Sequence, residues 1–295
     1  MLIQDFNVPA QKLRLYPYGY DQAAFTHRMK QASDVRKPAG KKVIMFAGRL
    51  IELKAPHHLT GALAGLKKQR SDWVCWIVGE GDMQVKLRAQ TKALGLEDDV
   101  VFWGKRQDVP QMLQQADIFV QPSLLDNQPL SVIEAQLAGL PVIVSDSGGL
   151  PEMVSHGQTG LTYPVGDIDS LGNHLKMLLE NDELRLRMGA NAKQWAARHW
   201  DLNQMVDHYL AVYEYAIQNA EEAHADEKHS FVSGDKYSRW FARPVGDTEK
   251  LVIVDGQVWD QVVSTLPSDY RLPDPVTIQV LEQALRELDA NVKDN

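Results

Sequence analysis

Short apolar runs alternate with amphipathic stretches along the first two thirds of the chain. Residues 42–47 (KVIMFA) are apolar after the opening lysine and stop at Gly48, as expected of a strand buried on both faces. The pattern recurs at Trp73 to Val78 before Gly79, at Val100 to Trp103 before Gly104, at Ile118 to Gln121, and at Pro141 to Ser145. Between these runs the apolar residues fall at helical spacing. Leu59, Leu63 and Leu66 follow Pro56, a residue suited to a first helical turn. Further helices are predicted over 82–94, closed by Gly95, near 108–115, and over 130–138, stopping at Gly139. Strands of 4–6 residues alternating with helices of 8–13 predict an α/β fold with a doubly wound parallel sheet, covered on both faces. From Asp167 the chain turns helical, over 168–180, 182–196 and 201–218, with Asp201 as the N-cap of the last.

Ligands of such sheets bind beyond the carboxyl ends of the strands. There lie Gly48-Arg49, Gly79-Glu80-Gly81, Gly104-Lys105-Arg106, Pro122-Ser123 and Ser145-Asp146-Ser147-Gly148-Gly149. One glycine could merely end a strand; five such loops at one edge point to a site. The most informative stretch is Asp126 to Ala135 (DNQPLSVIEA). Asp126 stands in the loop entering a helix that begins at Leu130, and Glu134 lies about one turn in. Free N–H groups of the first turn can face an anion. Carboxylates accept hydrogen bonds from sugar hydroxyls, so the stretch suits a polyhydroxylated, phosphorylated ligand. The plainer reading is an Asp favouring the helix dipole and a solvated Glu. In Gly48 to Lys54 (GRLIELK) two cations, Arg49 and Lys54, stand five residues apart after the first strand. A guanidinium fork and an ammonium would suit a diphosphate; the alternative is a pair of solvated loop cations.

Charge adds a boundary. Residues 1–218 hold 23 basic and 24 acidic side chains, while residues 219–295 hold 8 and 15. The shift coincides with a polar stretch, 219–229 (NAEEAHADEKH), read as a linker. The formal net charge of -8 gives no basic footprint for nucleic acid. A single cysteine, Cys75, excludes a disulfide framework and a Cys-based zinc site, and its apolar surroundings make it a core thiol. No run of 18 apolar residues suggests a membrane span, and the first residues lack a secretory pattern, so the cytoplasm is the expected location.

At this point the residues resemble a known family. GRLIELK at 48–54, VGEGD at 78–82, VVFWGK at 100–105 and ADIFVQPS at 116–123 are similar to the nucleotide-sugar-binding half of GT-B glycosyltransferases of the retaining group-1 (family-4) type. DNQPLSVIEAQLAGLPVIVSDSGGLPEMV at 126–154 and GQTGLTYPVGD at 157–167 continue the likeness. It reaches back to YPYGYDQAAF at 16–25, where the family's chain passes into its second domain, and forward to about residue 218, covering roughly 200 of 295 residues. The resemblance implies a Rossmann-like domain over 26–218, preceded by a lead-in segment, 1–25. Residues 230–295 do not match the family and read as a small α+β extension. It would comprise a hairpin around Asp255-Gly256 and a helix from Asp274-Pro275 with Ile278, Leu281, Leu285, Leu288 and Val292 on one face.

The resemblance also implies roles. Arg49 and Lys54 match the cations that neutralise the donor diphosphate, and Glu134 matches the carboxylate that binds the donor ribose. Asp126 matches the family's first carboxylate, near the transferred sugar; that position is more often Glu, one methylene longer. Backbone amides from Gln128 through Pro129 to Leu130 would approach the sugar and phosphate, beside Gly48. The loop at Trp103 to Arg106, with Gly104 and Lys105, would flank the base. Lys54 is usually followed by Gly in this family, and Ala55 follows here. The reaction implied is glycosyl transfer with retention from a nucleotide-diphosphate sugar to a saccharide or lipid-linked acceptor, in surface polysaccharide or lipopolysaccharide assembly. It needs no metal and no cofactor beyond the donor. A lipid-linked acceptor would bring the chain to the inner face of the membrane.

Set against the two-domain family it resembles, the sequence is expected to lack the acceptor domain. A separate polypeptide would then supply it; the alternatives are a non-catalytic nucleotide-sugar-binding module or remnant of a split enzyme, and a truncated sequence or misplaced start. A dehydrogenase domain is disfavoured, since no G-x-G-x-x-G follows the first strand. Asp167-Ile168-Asp169 resembles a metal-holding DxD, but its place at a helix start makes it a cap. His57 and His58, at a helix entrance after Lys54, read as surface histidines, the alternative being that one of them lines the phosphate site, and Asp98-Asp99 reads as a solvated turn before a strand.

Overall fold

The structure is a computed structural model that describes residues 13–218; the readings made for 219–295 lie outside the described residues. Six strands form one parallel sheet: β1 (Lys42–Ala47), β2 (Trp73–Val78), β3 (Val100–Gly104), β4 (Ile118–Gln121), β5 (Val142–Ser145) and β6 (Gly160–Tyr163). Their order is β3-β2-β1-β4-β5-β6. The helices are α1 (Gln22–Met29), α2 (Pro56–Lys67), α3 (Gln84–Ala93), α4 (Val109–Gln115), α5 (Leu130–Leu137), α6 (Ile168–Glu180), α7 (Asp182–His199) and α8 (Leu202–Gln218).

Two apolar layers explain why these runs make strands. Side chains alternate across a strand. Ile44 and Phe46 of β1, with Trp73, Cys75 and Ile77 of β2, enter one core with Leu59 and Leu63 of α2 and Leu171, Leu175 and Leu178 of α6. Val43 and Met45 of β1, with Val74, Trp76 and Val78 of β2, enter the other core with Phe25 of α1, Met112 and Leu113 of α4, and Val132 and Ile133 of α5. Cys75 is fully buried, which pushes its thiol up from its usual pKa.

Two elements carry no sequence expectation. Helix α1 buries only Phe25, so it has no apolar stripe to read; Asp21 caps it by accepting from Ala24 N at 2.8 Å. Strand β6 is a four-residue edge strand that opens on glycine. The fifth strand starts at Val142 rather than Pro141, whose carbonyl still accepts from Phe119 N. The expected caps form: Asp167 accepts from Ser170 N at 2.9 Å, and Asp201 accepts from Gln204 N at 2.9 Å.

The strand order places the site. The chain runs outward from β1 to β3, then returns through α4 to β4 on the other side of β1. The loops leaving β1 and β4 therefore diverge from a topological switch point, where doubly wound sheets open a crevice. Here the two loops are stitched together, with Leu124 N donating to Leu53 O at 2.8 Å.

Candidate donor site at the switch point

The loop leaving β1 is fixed from beneath. Gly48 N donates to Val78 O at 3.0 Å and Leu50 N to Glu80 O at 2.8 Å, while the Leu50 side chain is buried. Arg49, between them, is exposed and makes no hydrogen bond or ion pair with the other described residues. A 3-10 turn, Glu52–Lys54, then carries Lys54 back toward the loop leaving β4. The Lys54 ammonium donates to Oδ2 of Asp126, and both side chains are mostly buried.

Asp126 also receives Ser123 Oγ at 3.1 Å and Gln121 Nε2 at 3.4 Å. Behind them Ser145 Oγ donates to Ser123 O at 2.6 Å, and Ser131 Oγ donates to Gln121 Oε1 at 3.3 Å. A buried polar chain from the ends of β4 and β5 thus supports the carboxylate. Buried polar groups need such partners, or each costs on the order of 1–3 kcal/mol. Ser123 and Ser145 belong to the strand-end loops that the sequence marks, whereas Gln121 reads there only as the end of a strand; its one sequence signal is a polar residue closing an apolar run, and the structure buries it. The loop of Asp126 and Asn127 also lies against Gly148 and Gly149. Gly148 has a φ of +57°, and a Cβ on it would stand 2.1 Å from Asp126 O.

Helix α5 starts at Leu130 after Pro129, with no side chain capping its first turn. Gln128 is held by the chain before α1, its Oε1 accepting from Tyr18 N at 2.9 Å and its Nε2 donating to Tyr18 O at 3.0 Å. That side chain is committed to backbone. Leu130 is half exposed. Glu134 is not a solvated residue: burial raises its carboxyl pKa above the ordinary value, opposed by the Tyr20 hydroxyl and by Arg28. Tyr20 donates to its Oε1 at 2.5 Å.

The loop after β3 is less open. Lys105 is exposed and its backbone N–H approaches Glu80 Oε1 at 3.4 Å; Gly104 turns with a φ of +66°. Arg106 is committed to a bidentate pair with Asp108, each bond 2.7 Å, and to Asp34 at 2.7 Å. That guanidinium holds the Asp108 carboxyl down to about 2.

Two surface readings are corrected. His57 and His58 are half-buried, edge to face at 4.4 Å, and each buries an Nδ1 without a partner among the described residues. Burial lowers both pKa values, opposed by the Glu52 carboxylate, and so disfavours a charge on either ring. Asp99 is buried, with Lys67 at 2.7 Å and Lys41 at 3.8 Å, because the turn tucks under the sheet's start, where Cys75 N donates to Asp99 O. Among the described residues, no cluster of three or more His, Cys, Asp or Glu could hold a metal ion.

The family's usual glycine after Lys54 now has a physical reason. Ala55 caps α2 at φ +44°, ψ +44°, the one described non-glycine residue with positive φ, and is fully buried. Alanine tolerates this left-handed conformation at a cost of about 1–2 kcal/mol. Ala55→Gly should change stability by less than about 1 kcal/mol, since relief of strain is offset by a more flexible unfolded chain and a lost methyl contact. Ala55→Val should cost about 3 kcal/mol, because a β-branched residue is excluded at positive φ and overpacks the site. Thermal denaturation of the two variants checks this, and equal melting temperatures would overturn it.

The family Glycosyl transferases group 1 matches residues 28–195, more than half of the chain. The chain belongs to the group 1 glycosyl transferases. As a group 1 chain it is 29% identical over 219 residues to an Escherichia coli UDP-Gal:alpha-D-GlcNAc-diphosphoundecaprenol alpha-1,3-galactosyltransferase, covering 72% of this chain and 56% of that protein. The crystal structure of Anabaena Alr3699/HepE in complex with UDP and glucose superposes with a TM-score of 0.54 at 29% identity, covering 59% of this chain and 49% of that one. The C-terminal domain of a Francisella tularensis group 1 glycosyl transferase family protein has the same fold, at a TM-score of 0.53 and 22% identity; 63% of this chain covers 96% of that domain. The chain spans about half the length of the curated relatives it matches. No described helix is long and apolar enough to cross a membrane.

Proposed function

We propose that this chain is the donor-binding half of a glycosyltransferase that moves a sugar, with retention, from a nucleotide-diphosphate sugar to a saccharide or lipid-linked acceptor. One observation carries the reading. At the carboxyl ends of β1 and β4 stand an exposed, uncommitted Arg49, the Lys54–Asp126 pair and the uncapped first turn of α5, with the part-buried Glu134 inside that helix. The donor's diphosphate would lie across Arg49, Lys54 and the first turn of α5, its ribose hydroxyls on Glu134, and its sugar beside Asp126. Nucleoside diphosphate leaves with growing negative charge, and a preorganised cation near that charge contributes about 2.7–4 kcal/mol to lowering the barrier. The chain's own residues therefore supply binding, orientation and charge, and no metal or further cofactor is assigned to the step. The acceptor hydroxyl attacks from the open side of the crevice, which a second domain or a separate polypeptide would close against water.

Relatives support a uridine or guanosine donor. The Anabaena structure holds UDP and glucose, and the names of two relatives specify UDP-Gal and GDP-mannose. A lipid-linked acceptor like the one named for the Escherichia coli relative would bring the chain to the inner membrane face, in surface polysaccharide assembly.

Thermal-shift measurements on the full chain with UDP, GDP, ADP and CMP test the reading. One nucleotide at about 100 times its dissociation constant should add roughly 2.7 kcal/mol of stability. Arg49→Ala should abolish the shift and keep the fold, because the side chain is exposed and unpaired. Glu134→Ala should abolish it as well. No shift with any nucleotide would defeat the proposal.

A further inference from the structure

We propose that Tyr20, a residue outside the crevice loops, is a positioning residue for the donor site, acting through Glu134; this rests on the donor reading above. Tyr20 stands 114 residues before Glu134, and its hydroxyl donates to Glu134 Oε1 at 2.5 Å. The bond takes up one of the two carboxylate oxygens and leaves the other for a hydroxyl-bearing ligand. A glutamate carboxylate on a helix swings about three side-chain torsions, and a fixed, part-buried donor on one oxygen restricts that freedom.

Tyr20 is itself fixed. Its N–H donates to Trp200 O at 2.9 Å, its backbone bridges Asp201, and its ring meets Phe25 edge to face at 5.8 Å. Gly19 is pressed so closely against the start of α8 that a Cβ there would stand 2.6 Å from Leu202 Cα. Tyr18, two residues earlier, grips the Gln128 side chain with both its backbone groups. One three-residue segment therefore fastens both ends of the functional stretch of α5. Gln128 is held just before the helix and Glu134 one turn inside it.

The hydroxyl has a second consequence. Burial opposes ionisation of Glu134, while the Tyr20 bond and Arg28, on α1, favour it. The charged groups facing this pair are Arg28 and Asp21, and Asp21 acts on Tyr20 rather than on Glu134. Burial and Glu134 together push the Tyr20 phenol well above its ordinary pKa, so the hydroxyl keeps its proton and remains a donor throughout the working range. A break in the pH profile therefore belongs to the carboxyl. Ribose hydroxyls donate to an ionised carboxylate, so donor affinity is full above the Glu134 pKa and falls as pH drops through it. Loss of the Tyr20 hydroxyl should move that fall to higher pH.

The test compares wild type, Tyr20→Phe, Glu134→Gln and Arg49→Ala in the full chain. Calorimetric titrations from pH 5 to 8 would use UDP-glucose and GDP-mannose, whose diphosphates have no proton to lose in that range. Tyr20→Phe keeps the ring contact with Phe25 and the backbone bonds, so it should fold. Its break should rise by about one pH unit, the size expected for one hydrogen bond to a charged group. Below the shifted break, affinity should be about tenfold weaker than that of wild type. Glu134→Gln should flatten the profile. In a parallel measurement independent of any ligand, the carboxyl carbon of Glu134 in glutamate-labelled protein should titrate higher in Tyr20→Phe. A purely structural Tyr20 would lower the melting temperature and leave the profile and the carboxyl titration where they were, which would overturn the inference. If Tyr20→Phe moves nothing while Arg49→Ala weakens binding, the positioning role falls and the donor site stands. If no donor binds wild type, or Arg49→Ala and Glu134→Gln both bind as well as wild type, the donor reading falls and the inference with it.

Discussion

Lys54→Met should weaken nucleotide-diphosphate binding by about 10²-fold. A charged hydrogen bond to phosphate contributes about 1.5–3 kcal/mol, and methionine keeps the aliphatic bulk while removing it. The same change strands Asp126. Its carboxylate is 13% exposed and would retain only Ser123 and Gln121 as donors. Removing one member of a fully buried ion pair costs about 3–5 kcal/mol; residual exposure brings the expected loss nearer about 2 kcal/mol. Adding Asp126→Asn removes the stranded charge. The double variant should therefore regain most of the stability, with a coupling of at least about 1 kcal/mol, and should regain none of the binding. Melting temperatures and UDP titrations on the three variants separate the two effects. Wild-type affinity in Lys54→Met would remove Lys54 from the phosphate site. Additive stability losses would mean that the Lys54–Asp126 pair carries no interaction energy. The expected pattern also bears on the shorter carboxylate. Asp126 reaches Lys54 in the ligand-free chain, so a donor must share or replace that contact.

How much of this was legible in the sequence follows from the range of the forces involved. Strands β1 to β3 are readable as apolar runs closed by a glycine, β4 and β5 as short apolar runs, and α2 from leucines at helical spacing. Helix α1 is not, since a single buried Phe25 makes no stripe. The chemistry divides in the same way. Arg49, Lys54, Asp126 and Glu134 stand out by residue type and by their place after strands, and the fold brings the loops carrying them to one edge. Their partners do not stand out. Lys54 and Asp126 are 72 residues apart, and Tyr20 and Glu134 are 114 apart. Nothing in a local pattern says which polar residue will answer a buried carboxylate. The partial burial of His57 and the burial of Asp99 are hidden in the sequence for the same reason: burial of a polar side chain depends on what packs over it, which is a tertiary fact. Ala55 lies between these cases. The sequence displays the departure from glycine, but only the backbone, with its φ of +44°, shows why it matters.

Gly79→Ala should be among the most damaging single substitutions in the described domain, at about 3–5 kcal/mol. Two independent penalties meet there. Gly79 has a φ of +131°, where a side chain is strained, and a Cβ would stand 1.9 Å from the carbonyl oxygen of Gly48. The contact is backbone on backbone, so no rotamer change relieves it; the loop leaving β1 must move. Gly95→Ala isolates the two penalties. Gly95 has a φ of +66° but nothing within 4 Å of its Cβ position, so its loss should be limited to about 1 kcal/mol of conformational strain. The excess in Gly79→Ala, read as the difference in melting temperature, measures the clash alone. Because the displaced atom belongs to Gly48, the neighbour of Arg49, nucleotide binding should also fail in whatever fraction remains folded, while Gly95→Ala should bind as wild type does. Equal losses of stability in the two variants would mean that the β1 loop yields freely. A loop that yields freely could not hold Arg49 in place for a diphosphate, and its preorganised charge would no longer explain catalysis.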